Sequence, residues 1–86
     1  MALTLTEKLD ISGMGNKRMV VYLVTGDGTT RDISVSAIKL QRCNFAYSVN
    51  VDNENFTPIT TYEGQTISFD DEITSGKTQL VIAYGY

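Results

Sequence analysis

The sequence predicts an all-β fold: a small antiparallel β-sandwich or barrel of six to seven short strands with an extended N-terminal arm. Three observations carry that prediction. Apolar residues alternate with polar ones over most of the chain, β-branched and aromatic residues fill those stretches, and Gly, Asp, Asn and Ser clusters punctuate them at roughly 8–12-residue intervals. With 86 residues there is room for one domain, which buries roughly 60–65% of the surface of its unfolded chain.

Each element follows from its residues. Leu3, Leu5, Leu9 and Ile11 fall at odd positions with threonines among them, the spacing of an extended arm over residues 1–12, although Glu7 breaks the register. Gly13-Met14-Gly15 joins this arm to a single β domain over residues 13–86. An arm of this kind gains order either by pairing within its own subunit or by adding to a neighbour's sheet edge. The first long strand runs from Lys17 to Thr25 and stops at Gly26-Asp27-Gly28, residues that tolerate positive φ. That turn is predicted to open a hairpin into a strand from Thr29 to Val35, with Ile33 and Val35 on one face. Ser36 to Leu40 suits one helical turn capped by Ser36, or a continued strand.

From Gln41 to Val51 the alternation places Cys43, Phe45, Tyr47, Val49 and Val51 on one side and Arg42, Asn44, Ala46, Ser48 and Asn50 on the other. Pro58 fits a strand start or edge. Short strands over Ile59–Tyr62 and Thr66–Phe69 follow, then a solvated bend at Asp70-Asp71-Glu72 and a turn at Ser75-Gly76. The last strand, Thr78–Tyr86, is read with Leu80 and Ile82 towards the core and Tyr84 and Tyr86 nearer its rim or an interface.

Composition narrows the function. Histidine and tryptophan are absent and Cys43 is the one cysteine. No intramolecular disulfide is open to it and no histidine can activate it, so it reads as a buried thiol. A formal charge of −3 with seven basic residues scattered among ten acidic ones argues against a nucleic-acid binder, which needs a basic face for phosphates. No basic segment precedes a long apolar run, and no stretch approaches the ~18–20 apolar residues of a membrane helix. The expectation is a soluble protein made in the cytoplasm, without membrane contact.

The apparent motifs dissolve on inspection. Ser75-Gly76-Lys77-Thr78 ends like a phosphate-binding loop, but Asp71 stands where the first glycine belongs, and strand residues follow where a helix should supply amides. Gly13-Met14-Gly15 lacks the third glycine and preceding strand of a dinucleotide site. Asp52, Glu54, Asp70, Asp71 and Glu72 lack the turn glycine and distal glutamate of a calcium loop. Asn55-Phe56-Thr57 matches a glycosylation pattern with no secretory signal before it. No catalytic, cofactor-binding or metal-ligating residue is assigned, and no cofactor is expected.

Two strands carry more apolar surface than one domain can use. Lys17–Thr25 offers Met19, Val21 and Leu23 on one side and Val20, Tyr22 and Val24 on the other, while Leu80, Ile82, Tyr84 and Tyr86 stand opposite Val81 and Ala83. Contiguous apolar patches mark contacts, so the partner-interface candidates are Leu3, Leu5, Leu9, Tyr22, Tyr84 and Tyr86. Closed symmetry buries such a patch on each copy, and a homo-oligomer, a trimer in first place, is expected.

The stretch Gly13-Met14-Gly15-Asn16-Lys17-Arg18-Met19-Val20-Val21-Tyr22, followed by Val24-Thr25-Gly26-Asp27-Gly28-Thr29-Thr30 and closed by Leu80-Val81-Ile82-Ala83-Tyr84-Gly85-Tyr86, resembles small virion structural proteins of tailed bacteriophages. Some relatives carry a longer loop where this chain has Gly26-Asp27-Gly28. The resemblance implies a β-protein of the particle, decorating the capsid lattice through contacts with the major capsid protein or other virion proteins, with no catalytic residues to transfer. A tail, neck or connector component is the alternative within that reading. A soluble ligand-binding β-module is the alternative outside it, set back by the missing tryptophan.

Overall fold

The computed structural model describes residues 3–86 and forms two antiparallel sheets. The chain runs through β1 (Thr4–Met14), β2 (Lys17–Thr25), β3 (Asp32–Ser34), a 3₁₀ turn (Val35–Ile38), β4 (Cys43–Asn50), β5 (Ile59–Thr61), β6 (Thr66–Phe69) and β7 (Thr78–Gly85). One sheet has the order β1-β2-β7-β4 and the other β3-β6-β5. The predicted all-β sandwich is the observed architecture.

The arm becomes β1, paired to β2 of its own chain from Thr4 opposite Thr25 to Met14 opposite Lys17. The two-residue loop between them places Gly15 at φ 70°, the positive value that a tight hairpin needs at its first central position and that glycine adopts without strain. A register shift between Glu7 and Leu9 absorbs the Glu7 irregularity of the sequence: one extra residue lets Leu5 share a face with Val24 while Leu9 and Ile11 take the other.

The core lies between the sheets. Val20, Tyr22 and Val24 of β2, Val81 and Ala83 of β7 and Cys43 and Ala46 of β4 pack against Ile33, Ile67 and Phe69 of the smaller sheet, with Val35, Ile38, Leu40 and Ile73 closing the ends. Lys39 leaves the 3₁₀ turn at φ 67°, a left-handed residue that satisfies the turn's carbonyls as helix ends require.

Four expectations are corrected. Gly26-Asp27-Gly28 opens no hairpin, because the Gly26 amide bonds Lys77 O at 2.8 Å and the chain crosses to the other sheet. The turn starts at Val35 with Ser34 before it, and Ser36 lies inside. In β4 a bulge between Cys43 and Phe45 turns Cys43 inward with Ala46, while Phe45, Tyr47 and Val49 face out. In β7, Gln79, Val81, Ala83 and Gly85 face the core and Leu80, Ile82 and Tyr84 the outer side. The phase of β7 has a steric cause: a β-carbon on Gly85 would sit 2.0 Å from Arg42 O, so the glycine must lie where Arg42 crosses.

That reversal sets a stability ranking. Val81 is 1% exposed, so Val81→Ala is expected to cost about 2 kcal/mol through lost burial and the cavity left behind. Ile82→Ala, at a half-buried outer position, costs about 1 kcal/mol. Urea unfolding at submicromolar concentration reads both; a larger loss for Ile82 would return that residue to the core.

Candidate contact surface

On the side that β1, β2, β7 and β4 turn away from the core, three rows cross the sheet between Lys17 at one end and Thr4, Thr25 and Thr78 at the other. From the strand registers these are Ile11–Met19–Tyr84–Phe45, Leu9–Val21–Ile82–Tyr47 and Thr6–Leu23–Leu80–Val49. Eleven of these twelve side chains are apolar or aromatic and none is charged. The outer side of the smaller sheet presents Asp32, Ser34, Thr66 and Ser68 instead, with Ser68 Oγ donating to Asp32 Oδ1 at 2.7 Å. Both sheets obey strand alternation, but only the smaller one alternates apolar-in and polar-out, as a solvated sheet does.

Most of the exposed large hydrophobic side chains among the described residues gather on this face. Among the described residues eight large hydrophobic side chains are exposed; five of them lie in the three rows, Val51 follows β4, Tyr62 sets its ring edge-on to Phe45 at 5.6 Å, and Tyr86 lies under Lys17. Phe45 and Tyr47 are 48% and 46% exposed, with their own rings 5.6 Å apart. Contiguous exposed apolar patches are a feature of contact surfaces, and the aromatic edge here holds side chains of the kind that contacts favour.

The ends of the patch differ in charge. At the β1–β2 hairpin end stand Lys17, Arg18 and Arg42; Lys17 Nζ donates to Asn44 Oδ1 at 2.8 Å and lies 4.8 Å from the centre of the Tyr86 ring. At the opposite end stand Asp27 and Asp52, with Lys77 beside Asp52, whose Oδ1 accepts from the amide and hydroxyl of Thr78, both at 2.7 Å. A hollow of about 270 Å³ at the basic end is lined by Lys17, Arg18, Lys39 and Tyr86, but its cations are engaged: Lys39 pairs with Glu7 at 2.7 Å and Arg18 with Asp10 at 3.3 Å. The Lys39 contact holds the Glu7 carboxyl below its ordinary range and raises the lysine. Among the described residues no three His, Cys, Asp or Glu side chains converge to hold a metal ion.

The six interface candidates separate. Leu9 and Tyr84 lie in the outer rows and Tyr86 at their basic rim. Leu3 and Leu5 are half-buried against the core, beside the opening to Ile33 and Ala37. Tyr22 is the correction: it is buried on the inner face, its hydroxyl donating to Glu7 Oε1 at 3.2 Å, and burial raises its phenol pKa first. Phe45, Tyr47 and Val49, none of them a candidate, share the exposed outer face with Leu9 and Tyr84. Their alternation was readable, but the bulge that separates them from Cys43 was not. Cys43 is buried, its thiol donating to Phe45 O at 3.3 Å and pushed up by desolvation.

Asp27 stabilises the β2–β3 crossing by accepting from the amides of Thr29 and Thr30 at 2.8 and 2.7 Å and from Thr30 Oγ1 at 2.6 Å. These bonds, the Thr30 hydroxyl foremost, lower its carboxyl pKa from 3.8 to about 2. A folded pKa below the unfolded one gives a contribution that is complete above about pH 4 and is lost as pH falls through about 2. Asp27→Asn is therefore expected to flatten the fall in urea midpoint between about pH 5 and pH 2 relative to the unsubstituted chain. An unchanged slope would contradict the assignment.

No protein-family model, curated protein or solved structure matches the chain.

Proposed function

We propose that this chain is a non-enzymatic structural protein of a tailed-bacteriophage particle, made in the host cytoplasm and held on the capsid lattice by protein–protein contacts. The observation that carries this reading is the three apolar rows on the outer face of the four-stranded sheet. A sheet side left in water is ordinarily polar, and keeping eleven apolar side chains there suits a subunit that completes itself in an assembly, against another copy or another virion protein. The likeness of Gly13–Tyr22, Val24–Thr30 and Leu80–Tyr86 to small virion proteins supplies the setting, and the major capsid protein or another virion protein is the partner it favours.

Immunogold electron microscopy tests the reading with an antibody against the purified chain, applied to particles from cells that carry the gene. Regular labelling over the head is expected. Labelling confined to tail or neck would overturn capsid decoration in favour of a tail or connector part, and unlabelled particles would overturn the virion reading.

A further inference from the structure

We propose that the outer face of β1, β2, β7 and β4 is covered by the same face of a second copy, forming a two-fold pair whose sheets stack face to face. This rests on the reading of the chain as a contact-forming structural subunit and names the occupant of its contact surface.

Area is the first argument. The nine residues of β2 at ~3.4 Å each extend about 30 Å, and four strands at ~4.8 Å spacing span about 19 Å. The face therefore covers about 570 Å², and two opposed faces remove about 1,100 Å², past the ~1,000 Å² that a specific interface needs.

Self-compatibility is the second. The three rows carry no charge, so identical copies meet without opposing like charges, and sheets stack at ~10 Å through interdigitated apolar side chains. Seven of the eight exposed large hydrophobic side chains among the described residues, all but Tyr86 at the rim, lie on or beside this one face. A ring of three copies joins two different patches on each subunit, whereas a two-fold pair uses one patch twice. The structure thus points to a pair instead of the trimer favoured by sequence.

Charge fixes the orientation. Lys17, Arg18 and Arg42 stand at one end of the rows, and Asp27 and Asp52, with Lys77 beside Asp52, at the other, which leaves the first end net basic and the second net acidic. The Val21 row lies midway between Lys17 and Thr25 on β2. A two-fold axis along that row turns the basic end of each copy over the acidic end of the other, an opposite-sign arrangement that selects register. The same axis sets Ile82 against Ile82 of the second copy.

Sedimentation velocity of the full chain from about 1 to 100 μM, with mass from light scattering, tests the pair. Twice the 9.5 kDa chain mass is expected at the upper concentrations. Ile82→Glu and Ile82→Lys alone are expected to sediment as monomers with unchanged circular dichroism, because like charges meet at the axis, and an equimolar mixture is expected to recover the double mass. Tyr47→Glu, at an exposed edge-strand position, repeats the disruption should the Ile82 variants not fold. A monomer at 100 μM, a trimer, or a Tyr47→Glu pair as tight as that of the unsubstituted chain would overturn the proposal. A monomer whose antibody still labels phage heads removes the pair and leaves the virion reading standing; a pair with unlabelled particles does the reverse.

Discussion

Replacing Gln79 with alanine is expected to lower stability by about 3–5 kcal/mol, the sum of two or three buried polar groups left unpaired at ~1–3 kcal/mol each. Gln79 lies fully buried on β7, beside the other sheet positions that face the core. Its Oε1 accepts from Asn53 Nδ2 at 2.9 Å and from the Thr57 amide at 3.0 Å, and its Nε2 donates to Thr57 O at 3.0 Å. These bonds tie the polar segment between β4 and β5 to the central strand. Asn53, itself buried, extends the tie by accepting from the Asn55 amide at 3.0 Å.

Because an 86-residue domain has a total stability of only about 4–13 kcal/mol at ~0.05–0.15 kcal/mol per residue, Gln79→Ala removes much of it and lowers the melting temperature by about 15–30 °C. Asn53→Ala loses fewer bonds, one of them to exposed Asn55, and is expected to cost about 1–3 kcal/mol. The two losses should combine less than additively, since both substitutions break the Asn53–Gln79 bond. Urea midpoints for the two variants and the double variant measure this. A Gln79→Ala midpoint equal to that of the unsubstituted chain would show that the tie contributes nothing net.

Gly26→Ala is expected to cost about 2–4 kcal/mol through overpacking against backbone. A β-carbon at this position would lie 2.3 Å from Thr74 O, 2.4 Å from Ile73 O and 2.6 Å from Ile73 Cγ2. Moving those oxygens away strains the bonds that hold the crossing, Gly26 N to Lys77 O at 2.8 Å, Gly28 N to Ile73 O at 2.9 Å and Gly76 N to Gly26 O at 3.0 Å. Gly15→Ala is the informative comparison: it meets nothing within 4 Å but takes φ 70°, so its penalty is the left-handed backbone alone, about 1–2 kcal/mol. Thermal melts should rank Gly26→Ala below Gly15→Ala; the reverse order would place the close approach elsewhere.

These two residues show where sequence legibility ends. Gly26 was readable as a strand stop, but its stated reason, tolerance of positive φ, belongs to Gly28 at φ 81°; Gly26 is required by the passage of residues 73–77, a contact between segments about fifty positions apart that local sequence cannot display. Gln79 is polar on an otherwise apolar strand, and hydrophobic patterning places Leu80 and Ile82 inside. Its partners Asn53 and Thr57 reverse that choice, because a buried amide with three bonds made is tolerated where an unpaired one is not.

The strands themselves were legible because period-two patterning is a local property. Lys17–Thr25 and Thr66–Phe69 occupy the spans read from sequence, and the β4 and β7 spans differ from the readings by one or two residues. Facing was legible only where one side alone was apolar. In β2 both sides are, and the choice between Val20-Tyr22-Val24 and Met19-Val21-Leu23 is made by which set meets Ile33, Ile67 and Phe69. That ambiguity put Tyr22 among the interface candidates, and the β4 bulge kept Phe45, Tyr47 and Val49 out of them. The surplus of apolar side chains, which needs no facing to be counted, did point to a surface that a single copy leaves uncovered.

Hydroxyl-radical footprinting of Phe45 and Tyr47 tests most directly whether that surface is a contact in the assembled state. Oxidation is compared between the dilute purified chain and the same chain in intact particles, with buried Tyr22 as the internal reference. Phe45 and Tyr47 are predicted to oxidise readily in the dilute chain and to be protected in particles to the level of Tyr22. Equal oxidation of both rings in the dilute chain and in particles would contradict the assignment of the four-stranded sheet's outer face as the contact surface.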